Sequence, residues 1–181
     1  DSDTWLLGTK LSSTTWKYTV DHNILLNNTT YTFEARAIDY ADNYSVVYST
    51  KDILVKRPNT YITLPNSQYH NTLPTITGYA VDNIGISNVQ FRIYDESLYK
   101  CYDPTQDPVW VDCLGKEYAP WVVPEITFYV SSATWSYDIG DSTWSASVNH
   151  DYTIMVRSVD SAGNLDTVYS TFTFKFDDIP P

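Results

Sequence analysis

The chain is poor in basic residues and in long apolar runs, and each shortage excludes a class of protein. Its 11 Lys and Arg stand against 22 Asp and Glu, so the net charge over 181 residues is −11. Such a chain is repelled by the phosphates of nucleic acids and of anionic membranes. No apolar run approaches the roughly 20 residues that span a bilayer. We therefore predict no nucleic-acid partner and no membrane span in this segment.

Cysteine is almost absent, since Cys101 and Cys113 are the only two. They border a short segment rich in proline, aspartate and aromatic residues. With no histidine between them they are too few for a zinc site, and we predict no metal centre there. In a cytosolic chain they would be free thiols. In an acidic, tyrosine-rich β protein a disulfide is favoured instead, which indicates an extracellular or cell-surface location.

Catalytic motifs are lacking as well. The three histidines, His22, His70 and His150, lie in polar contexts outside any metalloprotease or nucleophile-elbow motif. Asp95 and Glu96 are adjacent, but neighbours on a strand point to opposite faces, so we interpret them as a solvated strand end. The sequence therefore predicts no enzyme and no cofactor.

Strand-forming residues are abundant. Aromatic residues make up 15% of the chain, with 16 Tyr and 6 Trp, and together with Thr and Val they favour strands over helices. Apolar and polar residues alternate with a period of two in segments such as 88–94 and 152–157. We find no convincing helical pattern and predict an all-β fold.

One twenty-residue pattern occurs twice, 121 positions apart. Residues 31–50 read YTFEARAIDYADNYSVVYST and residues 152–171 read YTIMVRSVDSAGNLDTVYST, with ten identities and no gap. Self-similarity at a fixed period is typical of tandem arrays of one structural unit. We expect one complete unit and the second half of another, as in a piece of a longer array.

Each copy of the pattern contains an Asp-x-Ala-x-Asn motif between two predicted strands. Asp and Asn close turns through their own side chains, so we interpret the motif as a structural turn. The alternative is a Ca²⁺ ligand cluster, for which one Asp and one Asn supply too few oxygens. Because Asp42 stands where the second copy has Gly163, we expect the first turn to be strained or differently shaped. The turn residues are Asp39 and Asn43, then Asp160 and Asn164.

Proline-containing joints divide the chain at residues 56–58 and 178–181, since proline cannot continue a central strand. We predict a half domain at residues 1–57 and a complete domain at 58–181. The complete domain has about seven short strands, the number found in an immunoglobulin-like sandwich. The predicted strands are 61–64, 73–81, 86–95, 134–138, 151–159 and 168–176, with an irregular stretch at about 96–133.

The unit resembles the bacterial immunoglobulin-like and fibronectin-type-III-like repeats of large exported surface proteins. The resembling residues are 76–82 (ITGYAVD), 85–93 (GISNVQFRI), 135–138 (WSYD) and 152–164 (YTIMVRSVDSAGN), with 16–18 and 31–43 in the first copy. The resemblance implies tandem Ig-like β-sandwiches, one complete and one incomplete. It also implies that Tyr31 and Tyr152 lock a corner through hydroxyl bonds to upstream backbone.

The stretch 96–133 is the distinctive feature of the complete unit. A loop of this length in a compact sandwich is usually functional, and a disulfide would restrict it. Its aromatic rings are candidates for contact with a protein or a surface glycan, or else they cap the open end of the sandwich. The candidate binding residues are Tyr99, Tyr102, Trp110, Tyr118 and Trp121.

Asn27, Asn28 and Asn43 lie in Asn-x-Ser/Thr sequons and are candidate glycosylation sites in predicted surface turns.

These observations predict a non-enzymatic extracellular protein, a segment of a stalk, surface layer or filament, with adhesion through the cysteine loop. The alternative is a spacer or glycan-binding module of a secreted multidomain enzyme. Half a sandwich leaves an apolar face uncovered. We expect the missing strands to come from a longer polypeptide, the alternative being a neighbouring subunit of the same protein that adds them in trans.

Overall fold

The structure is a computed structural model that describes residues 5–21, 24–144, 149–166 and 168–177. It is all-β apart from short 3-10 turns, and the chain divides into Asp1–Val55 (unit 1) and Lys56–Pro181 (unit 2). This division precedes the predicted boundary by two residues. Arg57 is buried within unit 2, where its Nη1 donates to the carbonyl oxygen of Leu165 at 3.1 Å. The predicted joint at residues 178–181 lies outside the described residues.

Unit 1 contains two antiparallel strand pairs. The first joins β1 (Thr9–Lys10) to β2 (Trp16–Lys17), and the second joins β3 (Thr29–Ala35) to β4 (Ser49–Val55). The alternation of apolar and polar residues in β3 places Tyr31, Phe33 and Ala35 on one face.

Unit 2 consists of two sheets. The four-stranded sheet has the order β11-β12-β7-β5 and the six-stranded sheet the order β10-β9-β8-β13-β14-β6. Neighbours are antiparallel except β14 and β6, which are parallel. The strands are β5 (Asn59–Leu64), β6 (Tyr69–His70), β7 (Thr75–Val81), β8 (Ile86–Asp95), β9 (Lys100–Tyr102), β10 (Trp110–Asp112), β11 (Glu125–Phe128), β12 (Ser132–Asp138), β13 (His150–Asp160) and β14 (Ser170–Phe176).

The hydrophobic core of unit 2 lies between these two sheets. Alternate residues of β7 and β12 face alternate residues of β8, β13 and β14, as the period of two requires. The largest fully buried side chains include Trp144, Tyr152, Phe91, Phe174 and Phe176. The predicted central strands agree with the observed ones to within about two residues at most ends, the ordinary uncertainty of strand limits.

The stretch predicted to be irregular, 96–133, contains strands β9, β10 and β11 and a 3-10 turn at Lys116–Tyr118. Val122 forms an isolated antiparallel bridge with Phe91, with N–O distances of 2.7 and 2.9 Å. The segment therefore extends the edge of β8 and covers the outer face of the six-stranded sheet. Among the described residues, no helix combines the length and the apolar character needed to cross a bilayer.

Candidate functional site

A disulfide joins Cys101 and Cys113, as predicted. It crosses the β9–β10 hairpin, in which Val111 pairs with Cys101. Cys101 is fully buried, packed with Tyr94 and Ala119 in a small cluster on the outer side of the sheet. The hairpin is thus tied across its width and also attached to β8 through the Tyr94–Cys101 pairing.

Two of the five candidate binding residues belong to the core or pack against it, Tyr102 buried and Trp110 partly buried. Tyr102 is 4% exposed, and its hydroxyl lies 3.3 Å from that of Tyr137. Burial, followed by this hydrogen bond, raises the pKa of Tyr102. Trp110 donates from Nε1 to the carbonyl oxygen of Thr143 at 2.6 Å, and its ring centroid lies 5.4 Å from that of Tyr152. Their rings fill one end of the sandwich.

Tyr99 and Tyr118 lie on the surface, with 70% and 61% of their area exposed. Tyr99 immediately precedes β9 and adopts a positive φ of 59°. Tyr118 ends the 3-10 turn after Gly115. Of the five candidates, these two therefore present the most ring surface to a partner.

Trp121, the fifth candidate, belongs to a cation–π cluster on the outer face of the six-stranded sheet. The guanidinium carbons of Arg157 and Arg92 lie 3.9 Å and 4.5 Å from its ring centroid. Tyr169 meets the indole edge-on, with centroids 5.3 Å apart. Burial is the main cause that lowers the pKa of Arg92, whose Nη1 donates to the carbonyl oxygen of Glu117 at 2.7 Å.

The same cluster recurs in unit 1. Arg36 lies 4.0 Å from the ring centroid of Trp5, and Tyr48 meets that ring edge-on with centroids 5.2 Å apart. Arg36 and Tyr48 are the repeat equivalents of Arg157 and Tyr169. Sequence reasoning missed this cluster, although its Arg and Tyr were among the ten identities. The identities fit a strand pattern without it, and Trp5 lies outside the twenty-residue repeat.

The structure extends the repeat towards the N-terminus. Trp5 precedes β1 by four residues, as Trp121 precedes β11 by four. Lys10 pairs with Trp16 in the β1–β2 ladder, as Ile126 pairs with Trp135 in the β11–β12 ladder. Unit 1 therefore corresponds to strands β11 to β14 of unit 2. The β3–β4 register also equals the β13–β14 register, with equivalent pairs Tyr31–Ile53 and Tyr152–Phe174.

The turn of unit 1 is closed by the carboxylate of Asp39. Its Oδ1 accepts the backbone N–H of Ala41 at 2.8 Å and of Asn43 at 3.0 Å, and the Asn43 amide donates to Oδ2 at 3.1 Å. These bonds, the Asn43 side chain first, lower the pKa of Asp39. The arrangement is that of the predicted structural turn.

The turn of unit 2 has the same hydrogen bonds. Asp160 Oδ1 accepts from Ala162 and Asn164 at 2.8 Å each, and the Asn164 amide donates to Oδ2 at 2.8 Å. Of the two alternatives expected for the first turn, a different shape is wrong, because Asp42 adopts a left-handed φ of 62° where Gly163 has 87°. That φ is strained for a residue with a Cβ, which agrees with the other alternative. Within the described ranges, no group of three or more His, Cys, Asp or Glu side chains is arranged to hold a metal.

A buried carboxyl follows the second turn. Asp166 is 7% exposed and accepts the Ser158 N–H at 3.0 Å and the hydroxyl of Thr60. Burial is the main cause that raises the pKa of Asp166. Its repeat equivalent in unit 1 is Ser45, whose Oγ accepts the N–H of Ala37 at 3.1 Å. The two side chains differ, but both accept the same backbone hydrogen bond.

The hydroxyls of both corner tyrosines contact polar groups. Tyr31 accepts the backbone N–H of Leu26 at 2.7 Å, which is the upstream backbone bond that the resemblance implies. Tyr152 is fully buried, and its hydroxyl lies 3.5 Å from Nδ1 of His150.

The three sequon asparagines lie on the surface of unit 1. Asn27 and Asn28 form the turn before β3, where Asn28 has a positive φ of 55°. Asn43 is exposed too, but its amide nitrogen is bonded to Asp39, so attachment of a glycan there would compete with the turn.

Asp95 and His150 correct two expectations. They are 2% and 3% exposed rather than solvated, and Asp95 Oδ2 lies 2.9 Å from His150 Nδ1. Asp95 Oδ1 also accepts the N–H groups of Ser97 and Leu98 at 2.9 Å. The pair fastens the end of β8 to the start of β13. His22, another of the histidines, lies outside the described residues.

No protein-family model matches the chain, and no curated protein matches it.

Proposed function

We propose that the chain is a segment of a non-enzymatic, extracellular structural protein built as a tandem array of Ig-like β-sandwiches. It serves in a stalk, a surface layer or a filament, and its partners are neighbouring repeats of the same protein. Units 1 and 2 are then the incomplete and the complete copy of one domain.

The observation that carries this proposal is the recurrence of structure in both units. The strand register, the Asp-closed turn and the Arg–Trp–Tyr cluster repeat in both units. Trp16 and Tyr31 also match Trp135 and Tyr152, which lie in the core of unit 2. A fold that repeats without a repeated reactive side chain supports a structural role, in which repeated units extend the protein. The disulfide supports an oxidising compartment.

The polar groups in unit 2 also support a structural role. Asp95 accepts three hydrogen bonds inside the protein, and Asp166 is enclosed by Thr60 and Ser158. Neither carboxyl is presented to a substrate, so we assign no catalytic residue.

The experiment that tests the proposal is the intact mass and location of the native protein. We expect surface labelling of intact cells to reach it, and a mass many times the 20.7 kDa of this chain. Electron microscopy of the purified protein should then show a beaded rod. A protein found only inside the cell, or a compact particle with hydrolytic activity, would contradict the proposal.

A second candidate, a glycan-binding or spacer module of a secreted enzyme, is favoured by the exposed rings of Tyr99 and Tyr118. We expect Tyr99→Ala and Tyr118→Ala to abolish glycan binding on an array if this candidate holds. Trp110→Ala is unsuitable as a probe, because it removes a core ring and would unfold the sandwich. Tyr69→Ala, an exposed tyrosine on β6, is the matched control.

A further inference from the structure

Unit 1 exposes side chains whose equivalents in unit 2 form the core. Trp16 is 57% exposed, whereas Trp135, at the same position of the strand ladder, is 2% exposed. Ile53 is 46% exposed and its equivalent Phe174 is 2% exposed. Within the described part of the chain, β3 pairs with β4 alone, whereas β13 also pairs with β8. Unit 1 therefore has an uncovered apolar face and an open strand edge side by side.

Unit 2 shows what covers the same face when it is complete. Strand β8 occupies the free edge of β13, with Ile93 opposite Ile154 and Phe91 opposite Val156. Strands β5 and β7 continue the sheet of β12; β5 packs over β13 and β14, and β7 contacts β8 across the core. All three come from residues 58–95, which have no equivalent in unit 1.

We propose that the open face of unit 1 is completed by a strand set built like residues 58–116. The set supplies an edge strand equivalent to β8 and a facing pair equivalent to β5 and β7. This inference deepens the proposed array and rests on it, because it names what each half unit must bind.

Charge complementarity on the outer face identifies one residue of that strand set. In unit 2, Arg92 of β8 lies against Trp121, and its Nη2 lies 3.7 Å from the sulfur of Met155. In unit 1 the equivalent of Met155 is Glu34, which is exposed beside the Arg36–Trp5 stack. An arginine at the Arg92 position of the incoming strand would meet this carboxylate. The outer face of unit 1 is thus built for a β8-like strand with arginine at that position.

The test adds a second copy of residues 58–116 directly before Asp1 of the full chain. Because Trp5 corresponds to Trp121, Lys116 of the added copy joins Asp1 without a gap. Hydrogen exchange is measured at the amides of β3 and β4. We expect exchange there to slow by about 100-fold or more relative to the unmodified chain. The amides of β13 in unit 2 report in the same sample that the chain is folded.

The matched control carries Val89→Asp and Ile93→Asp in the added copy only. It has the same length and differs at these two positions only, but it cannot cover the apolar face, so β3 and β4 should exchange as in the unmodified chain. A second variant adds only residues 58–95 through a flexible Gly–Ser linker. It needs no disulfide, and partial protection of β3 is expected from it even where the longer addition fails to fold.

The arginine is tested by a double-mutant cycle between Arg92→Gln in the added copy and Glu34→Gln in unit 1. We expect Arg92→Gln to lower protection of β3 about tenfold with Glu34 present and less with glutamine there. Additive effects would contradict the assigned ion pair.

Two results would overturn the inference. The first is unchanged exchange of β3 and β4 in both extended chains. The second is a sedimentation profile in which the unmodified chain is a dimer with β3 already protected, since a second copy would then be the occupant. Neither result bears on the mass and location of the native protein, so failure here is distinguishable from failure of the proposed array.

Discussion

Units 1 and 2 share a register, a turn and an outer cluster, but they differ in what is buried. The Asp-closed turn and the Arg–Trp–Tyr stack form in both units. Their members lie on or between β13 and β14, or beside the equivalent β3 and β4, and just before β11 or β1. Burial of the inner face appears only in unit 2, where β5, β7 and β8 are present. The turn and the outer stack therefore form in half a sandwich, whereas burial of the inner face requires the complete set of strands.

The largest expected difference between the units lies at their inner faces. Phe174→Ala should lower the free energy of unfolding of unit 2 by about 3–5 kcal/mol, because it leaves a cavity between the sheets. Ile53→Ala, at the equivalent position of unit 1, should cost less than about 1 kcal/mol, because that side chain is 46% exposed. Urea unfolding followed by hydrogen exchange in each unit measures both. Equal losses would show that unit 1 already has a closed core.

The turns should show the next largest difference. Asp160 is fully buried, so Asp160→Ala leaves two backbone N–H groups and an amide without their acceptor, at a cost of about 2–3 kcal/mol. In Asp39→Ala water replaces the lost acceptor, and we expect a clearly smaller loss. Thermal unfolding of the two single variants is the measurement. A larger effect at Asp39 than at Asp160 would reverse the comparison.

A smaller effect, opposite in sign between the units, is expected at the left-handed turn position. Gly163→Ala places a side chain at φ 87° with no neighbour within 4 Å, so it should destabilise unit 2 by about 1 kcal/mol through backbone strain alone. Asp42→Gly relieves the same strain in unit 1 and should raise its free energy of unfolding by about 0.5 kcal/mol. Chemical denaturation of both variants checks the signs, and destabilisation by Asp42→Gly would show that the aspartate side chain itself supports the turn.

The smallest expected effect is a difference in pH dependence. The pKa of Asp39 is lowered in the folded state, so its contribution to unit 1 is present above the unfolded pKa and is lost as pH falls through the folded one. The pKa of Asp166 is raised, so the folded state holds its proton more tightly and unit 2 loses stability as pH rises above the ordinary carboxyl range. Asp39→Asn should therefore remove a loss of unit 1 stability below about pH 4, and Asp166→Asn a loss of unit 2 stability above about pH 4. Denaturant unfolding midpoints measured on both sides of that pH check the two directions.

Much of the strand framework could be predicted from the sequence, because alternation over 86–95 and 150–160 reflects faces that differ in exposure. The disulfide and the Asp-closed turns followed from residue types with specific chemistry. The stretch 96–133 could not be read in this way. Its strands are short. Tertiary packing places Trp110 against the core and Trp121 on the outer face, and residue type alone does not distinguish these two positions.

Two further features could not be predicted from the sequence. Asp95 was expected to be solvated because it ends a strand, and only the approach of His150 from the start of β13 makes it a buried hydrogen-bonding centre. The start of the repeat at Trp5 was hidden by loops of different length between the matching tryptophans. The pairing register of the strand ladders shows that Trp16 matches Trp135, although the residue spacing along the chain differs.

The parallel pairing of β14 with β6 has a mechanical consequence. The N–H groups of Lys175 and Asp177 donate to the carbonyl oxygens of Gln68 and His70 at 2.8 and 2.9 Å. A pull on the chain after Asp177 runs along both strands, so these bonds bear the load together, in shear, and must break at once. An antiparallel edge pair pulled from its open end would instead unzip one bond at a time. The parallel pair therefore favours resistance to tension applied to the chain after Asp177.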